Sequence, residues 1–244
     1  MSHTLFIADL HLDTSRPQII TLFENYLAST QVRRADALYI LGDLVESWIG
    51  DDDDAVLPRR IAAATHAVHS AGVKLYFMVG NRDFLLGKDY AVRAGLELID
   101  DGCVLHLYGQ PTLLMHGDVL CSDDLVYQAV RSQVRTPEWK TQFLTMSLKA
   151  RRAFAAKARA DSKAHTGHAI PPTIMDVNAQ TVTESMRAAG VKQLIHGHTH
   201  RPAIHYFDLN GQTAQRVVLG DWYEQGSVLV LDAERPTPRT LRVI

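Results

Sequence analysis

Five short blocks combine aspartate, histidine and asparagine at spacings that suit metal chemistry. They are Asp9-Leu10-His11, Gly42-Asp43, Gly80-Asn81-Arg82-Asp83, His116-Gly117-Asp118 and His196-Gly197-His198-Thr199-His200. Oxygen and imidazole donors together suit hard and borderline divalent cations, and the absence of cysteine from the blocks argues against a structural zinc site. The donors are too many for one ion, whereas a bridging carboxylate lets them hold two. Two ions roughly 3.5–4 Å apart lower the pKa of a shared water and clamp a phosphoryl oxygen.

Such scattered donors converge only if the fold brings them together. Thr4–Ala8, Leu38–Leu41, Lys74–Val79, Thr112–Met115 and Gln193–Ile195 read as buried strands, and each block closes one of them. Pro17–Ser29, Ala55–Ala71, Lys88–Ala94 and Ala179–Ala189 read as helices, the last three followed by Gly72, Gly95 and Gly190 as C-caps. Strands alternating with helices predict an α/β layered fold, and ligands in open α/β sheets collect at the carboxyl ends of strands. Arg216–Leu219 and Ser227–Leu231 look like strands without intervening helices, so the sheet is expected to be mixed.

The composition fits this reading. The chain has 244 residues, 46% hydrophobic and 21% charged, with a formal charge of −2, which excludes disordered, collagen-like and disulfide-scaffold classes. The length suggests one large domain, or one domain with an inserted subdomain. Cys103 and Cys121 are expected to be reduced thiols. No apolar run approaches the ~20 residues of a membrane span, and Asp9 and His11 interrupt the first apolar stretch, so no signal peptide is expected. The acidic run Asp51–Asp54 reads as a solvated loop.

One segment breaks the alternation. Residues 125–170 hold nine basic side chains against two acidic ones, Glu138 and Asp161. Trp139, Phe143, Met146, Ala150 and Phe154 recur there at helical spacing. The stretch 124–170 therefore reads as a basic, amphipathic helical insertion into a core formed by 1–123 and 171–244. As a cap, it would handle an anionic or lipid-like ligand; as a plain surface helix, it would pack its apolar stripe on the core.

The five blocks in order resemble the calcineurin-like metallophosphoesterase superfamily. That resemblance implies a β-sandwich flanked by helices. It also implies one metal on Asp9, His11, Asp43 and His200, and a second on Asp43, Asn81, His116 and His198, with Asp43 bridging and His196 outside the ligand set. Where common phosphatases of the superfamily carry a histidine after the asparagine, this sequence has Arg82. Arginine does not donate a proton at neutral pH but pairs with a phosphate bidentately, which suits a leaving group that is already a good anion.

The Gly80-Asn81-Arg82-Asp83 form looks like the UDP-2,3-diacylglucosamine hydrolases of lipid A biosynthesis. So do Cys121-Ser122-Asp123-Asp124-Leu125-Val126-Tyr127, Asp161-Ser162-Lys163, Ile174-Met175-Asp176-Val177-Asn178 and Gly220-Asp221-Trp222. This second resemblance implies a manganese enzyme at the cytoplasmic face of the inner membrane, peripherally bound. Water would attack the α-phosphorus of the UDP-sugar lipid, giving UMP and 2,3-diacylglucosamine 1-phosphate. It implies catalytic roles for Asp43, Asn81, Arg82 and His116, and substrate contacts from Asn81, Arg82, Asp124, Ser162, Thr166 and His198. Thr166 stands where relatives often carry asparagine. Nucleic acid is not expected as a partner, because the basic residues are not interleaved with stacking aromatics, and no obligate protein partner is evident. The other readings are a general metal-dependent phosphodiesterase or nuclease and a non-catalytic scaffold of the same fold. A scaffold of that kind should lack one or more ligands, and none is missing here.

Overall fold

The structure is a computed structural model that describes residues 2–167, 176–234, 236–238 and 240–244, and of 163–167 the backbone alone. Two sheets face each other. The first has six strands in the order β11 (Leu241–Val243), β10 (Ser227–Asp232), β1 (His3–Ile7), β2 (Ala37–Leu41), β3 (Lys74–Met78), β4 (Glu97–Ile99). The second has five in the order β5 (Cys103–Leu107), β6 (Gln110–Met115), β7 (Gln193–His196), β9 (Gln212–Val218), β8 (Ala203–Leu209). Strands β1 to β4 are mutually parallel and so are β6, β7 and β9, while β10, β11, β5 and β8 join antiparallel. Both sheets are mixed, as expected.

Strand alternation sorts the apolar residues into layers. Leu5, Ile7, Leu38, Ile40, Leu75 and Phe77 face outward, onto α1 (Pro17–Ala28), α3 (Val56–Ser70) and α4 (Lys88–Ala94). Their neighbours Phe6, Tyr39, Leu41 and Met78 face inward and meet Leu114, Ile195 and Val217 of the second sheet. On the far side, Leu113, Met115 and Leu194 pack on Val182 and Met186 of α8 (Ala179–Ala189). The central strands are thus covered on both faces, which is why they read as continuous apolar runs. A four-residue helix, α2 (Thr30–Arg33), links α1 to β2.

Between β6 and α8, after a single 3-10 turn at Asp118–Leu120, run α5 (Leu125–Val134), α6 (Pro137–Leu144) and α7 (Leu148–Gly167). Pro137 stands in the first turn of α6, where its missing N–H costs nothing, and Thr136 caps that helix. The continuous stripe expected from Trp139 to Phe154 is therefore divided between two helices. Phe143 is buried and Trp139 half-buried in the main core. Trp139 stacks on Phe143 with centroids 4.9 Å apart and lies 5.9 Å from Phe84. Phe154 closes the cluster, 5.3 Å from Phe143, but keeps 44% of its surface exposed. Phe143 and Trp139 thus pack on the core, whereas Phe154 and Met146 keep exposed surface.

The acidic run lies in a loop with Asp52 and Asp54 largely exposed, as expected, but its carboxylates are also engaged. Asp51 accepts hydrogen bonds from Gly87 N (2.9 Å) and Tyr90 N (3.0 Å) at the start of α4. Asp52 pairs with the buried Arg151, and Asp53 and Asp54 pair with Arg152. Arg131 and Arg135 reach the buried Asp118, and Arg159 reaches Glu46. Much of the segment's positive charge is therefore spent on fastening these helices to the core.

Phe143→Asp is accordingly expected to unfold the protein at lower temperature. Removing a core phenylalanine costs about 3–5 kcal/mol before any charge is buried, or roughly 10 °C in a chain of this size. Phe154→Asp should change the melting temperature by no more than about a third of that. Differential scanning calorimetry of the two variants checks both.

Candidate active site

Five strand ends deliver the donor residues to one rim of the sandwich, because β1, β2 and β3 run parallel in one sheet and β6 and β7 in the other. Their turns are tied to each other: Asp9 N donates to Gly42 O, His11 N to Asp43 O (2.9 Å) and Gly197 N to His116 O (2.8 Å). A Cβ on Gly42 would stand 2.6 Å from the Cα of Gly80, so only glycine lets the second and third turns approach. Asp9, His11, Asp43, His198 and His200 all have positive φ, between 47° and 69°. The left-handed region is uncommon for residues with a Cβ, and such conformations cluster at functional sites.

The side chains form two adjoining groups, Asp9 with His11 and His200, and Asp43 with His116 and His198. Asp43 faces both: its Oδ2 lies 3.6 Å from His11 Nε2, its Oδ1 3.7 Å from His116 Nε2. Asn81 Oδ1 is 2.9 Å from His116 Nε2 and 3.0 Å from His198 Nδ1, which places it in the second group. His11 and His200 approach with their Nε2 atoms 3.1 Å apart. All seven expected donors are therefore brought together.

Electrostatics bear on whether the donors suit cations. Burial pushes the His116 imidazole down, but Asp43, Asp118 and Asp9 outweigh it and raise its pKa to about 9. Burial pushes Asp9 up, and its contact with His200 and the nearby imidazoles hold it at about 2. Asp9 Oδ1 is buried without a hydrogen-bond partner. A buried histidine held protonated by carboxylates, beside an unsatisfied carboxylate oxygen, marks a surplus of negative charge that divalent cations would neutralise. The donor set fits two such ions.

Supporting groups orient the donors. Leu41 O holds His116 Nδ1 at 2.8 Å, leaving Nε2 toward Asp43 and Asn81. Asp83 is buried and accepts from Gly80 N and Leu44 N, both at 2.7 Å, and burial and the Asp43 charge raise it to about 6. It braces the turn rather than facing the donors. His196 Nε2 lies 3.1 Å from Arg216 and its Nδ1 2.9 Å from Gly197 O, while burial and Arg216 push its pKa down to about 3. It is a neutral spacer, consistent with its expected place outside the ligand set.

Arg82 donates its main-chain N–H to Asp43 Oδ1 (2.8 Å), and its Nε is buried without a hydrogen-bond partner. Asp124 caps α5, accepting from Tyr127 N at 2.9 Å. Ser162 lies half-buried on α7. The Thr166 side chain lies outside the described residues.

Two neighbours, Glu46 and Tyr223, were not expected from the sequence, and Asp118 takes a part that its block did not foretell. Glu46 Oε2 lies 3.2 Å from His11 Nδ1. Tyr223 stacks on His11 with centroids 5.4 Å apart and planes 11° apart, with Arg16 over its ring. Asp118 accepts from Tyr127 Oη at 2.6 Å and from Arg131 Nε at 2.7 Å, tying α5 to the end of β6. The only sequence signal for Glu46 is a charge closing the apolar pair after Asp43, which is weak.

A sandwich of two mixed sheets carrying this paired donor set at its strand ends defines a metallophosphoesterase with a dimetal centre. The chain belongs to the calcineurin-like phosphoesterase family, whose model matches residues 2–202. It is 54% identical to proteins named UDP-2,3-diacylglucosamine hydrolase in Xanthomonas oryzae pv. oryzae and Xanthomonas campestris pv. campestris, over 95% of this chain and 96% of theirs. A protein of the same name in Stenotrophomonas maltophilia is 52% identical over 94% of this chain and 95% of its own.

Proposed function

We propose that the chain hydrolyses the pyrophosphate of UDP-2,3-diacylglucosamine, giving UMP and 2,3-diacylglucosamine 1-phosphate. The observation that carries this reading is the Asp43 carboxylate shared between two donor groups, in a chain similar along nearly its full length to hydrolases of that name. Asp9, His11, Asp43 and His200 would hold one ion, and Asp43, Asn81, His116 and His198 the other; we take both to be Mn2+. When bound, the ions supply a water of lowered pKa and positive charge against the phosphoryl oxygens.

The chain's own residues do the rest. Asn81 and His198 sit at the rim where the α-phosphate would dock, and Arg82 offers its fork to a phosphate oxygen as charge builds there. The departing sugar 1-phosphate leaves as an anion and needs no proton donor, which is why arginine serves where a histidine would otherwise stand. Helices α5 to α7, within a cap at 124–170, are read as the cover for the lipid portion, with Asp124, Ser162 and Thr166 touching the substrate.

A peripheral place on the cytoplasmic face of the inner membrane fits the lipid substrate. No helix among the described residues is long and apolar enough to cross a membrane, and Leu125, Val126 and Val130 leave an exposed apolar strip on α5.

Hydrolysis in H₂¹⁸O tests the reading. Mass spectrometry should find the label in UMP alone, chelation should abolish turnover, and Mn2+ should restore it best among Mn, Fe, Co and Zn. Label in the sugar phosphate would overturn attack at the α-phosphorus. Cleavage of single-stranded DNA at a comparable rate would favour the nuclease reading.

A further inference from the structure

His11 can offer Nε2 to an ion only if its proton resides on Nδ1. That nitrogen is buried and makes no well-aligned hydrogen bond, and the carboxylate oxygen facing it is Glu46 Oε2, 3.2 Å away. Glu46 is placed by main-chain pairing: Leu12 N donates to Leu44 O (3.0 Å), and Glu46 N donates back to Leu12 O (3.2 Å). Its carboxylate is only 15% exposed. The groups around it are His11, Arg16, Arg82, Tyr223 and, from α7, Arg159, which pairs with Oε1. Arg16 also donates to His11 O. The result is a run of charge contacts from α7 to a donor of the first ion: Arg159, Glu46, His11.

We infer that Glu46 is a positioning residue that fixes the His11 tautomer, and that Arg159 couples the seating of α7 to the hold on the first ion. The inference rests on the two-ion reading above. A carboxylate behind a ligating histidine orients the ring and raises its basicity, and losing such a partner typically costs about 10- to 100-fold in metal affinity. The second group has no such link, since His116 Nδ1 is held by the Leu41 carbonyl instead. The effect should therefore be one-sided.

The experiment is Mn2+ titration of the metal-stripped full chain, comparing wild type with Glu46→Gln, Arg159→Ala and Arg159→Lys. Calorimetry counts the ions, and nitrogen-15 NMR of the histidines reads the His11 tautomer. Glu46→Gln keeps the shape and an acceptor oxygen, so it should fold. The expected result is two ions in wild type and, in Glu46→Gln, one site weakened about 10- to 100-fold with the other unchanged. Arg159→Ala should weaken the same site by a smaller factor, and Arg159→Lys should recover part of the loss. Two unchanged sites in Glu46→Gln would overturn the Glu46 inference and leave the two-ion reading standing. Equal weakening of both sites would overturn it too, because Glu46 would then act through the fold as a whole. If Arg159→Ala binds as wild type does, the coupling to α7 is wrong. Fewer than two ions in wild type would defeat the two-ion reading and this inference with it.

Discussion

Asp43→Ala is expected to lower kcat by about three orders of magnitude or more, equivalent to about 4 kcal/mol of lost transition-state stabilisation. The reason lies in its two oxygens, one 3.6 Å from His11 Nε2 and the other 3.7 Å from His116 Nε2. Among the described residues, no other carboxylate is paired with imidazoles of both donor groups, so none can set the spacing of the two ions in its place. The same Oδ1 accepts the Arg82 N–H, so the third turn loses an anchor as well. Asp43→Asn keeps the shape and the acceptor while removing the charge; it should fold normally and still lose most of its turnover. Metal analysis should fall from two ions per chain toward one in both variants. More than about a tenth of wild-type activity in Asp43→Ala would contradict a bridging role.

Arg82→Ala is expected to cost about 10²–10³ in kcat, the usual loss when one donor to a developing oxyanion is removed. Its guanidinium nitrogen Nε is buried and without a hydrogen-bond partner, and its charge is near enough to Glu46 to act on that carboxylate, which places it beside the donors. Arg82→Lys should recover only part, since a point charge cannot span two oxygens. Metal content should stay near two per chain, because the hydrogen bond from Arg82 to Asp43 comes from its main chain and survives the substitution. Full rescue by lysine would contradict the bidentate role, and loss of metal would place Arg82 among the supports of the ligand set.

Much of this molecule was legible in its sequence, and the reasons are physical. The strands that carry the donors are buried on both faces and in parallel ladders, so Leu38–Leu41 and Lys74–Val79 stand out as apolar runs ended by polar residues. The strands β4, β5, β8 and β11 did not stand out. Much of their surface is exposed, as in Cys103–Leu107, where Val104 and His106 face solvent and no continuous apolar run forms. The basic character of 125–170 was plain, but its purpose was not. The acids that neutralise Arg151 and Arg152 lie about a hundred positions earlier in the chain, and pairing over that distance leaves no local pattern. The burial of Phe143 was hidden for the same reason: the main core cluster it joins is built mostly from residues of a different stretch of the sequence, and Phe84 there meets its neighbour Trp139. Glu46 and Tyr223 were missed because each is a single residue whose role exists only once His11 is beside it.

The left-handed backbone at Asp9, His11, Asp43, His198 and His200 carries an implication for how such a chain can change. Each of these conformations works against stability by about 1–3 kcal/mol. The sheets and helices must therefore hold a reserve large enough to keep five unwilling residues in place. Glycine at any of them would relax the turn, so an inactive descendant of this chain can outlast its active parent on heating. Tolerance of drift elsewhere is then limited by that reserve. A substitution in the apolar layers that a less strained sandwich would absorb is felt here first as loosening of the rim, before the molecule as a whole gives way.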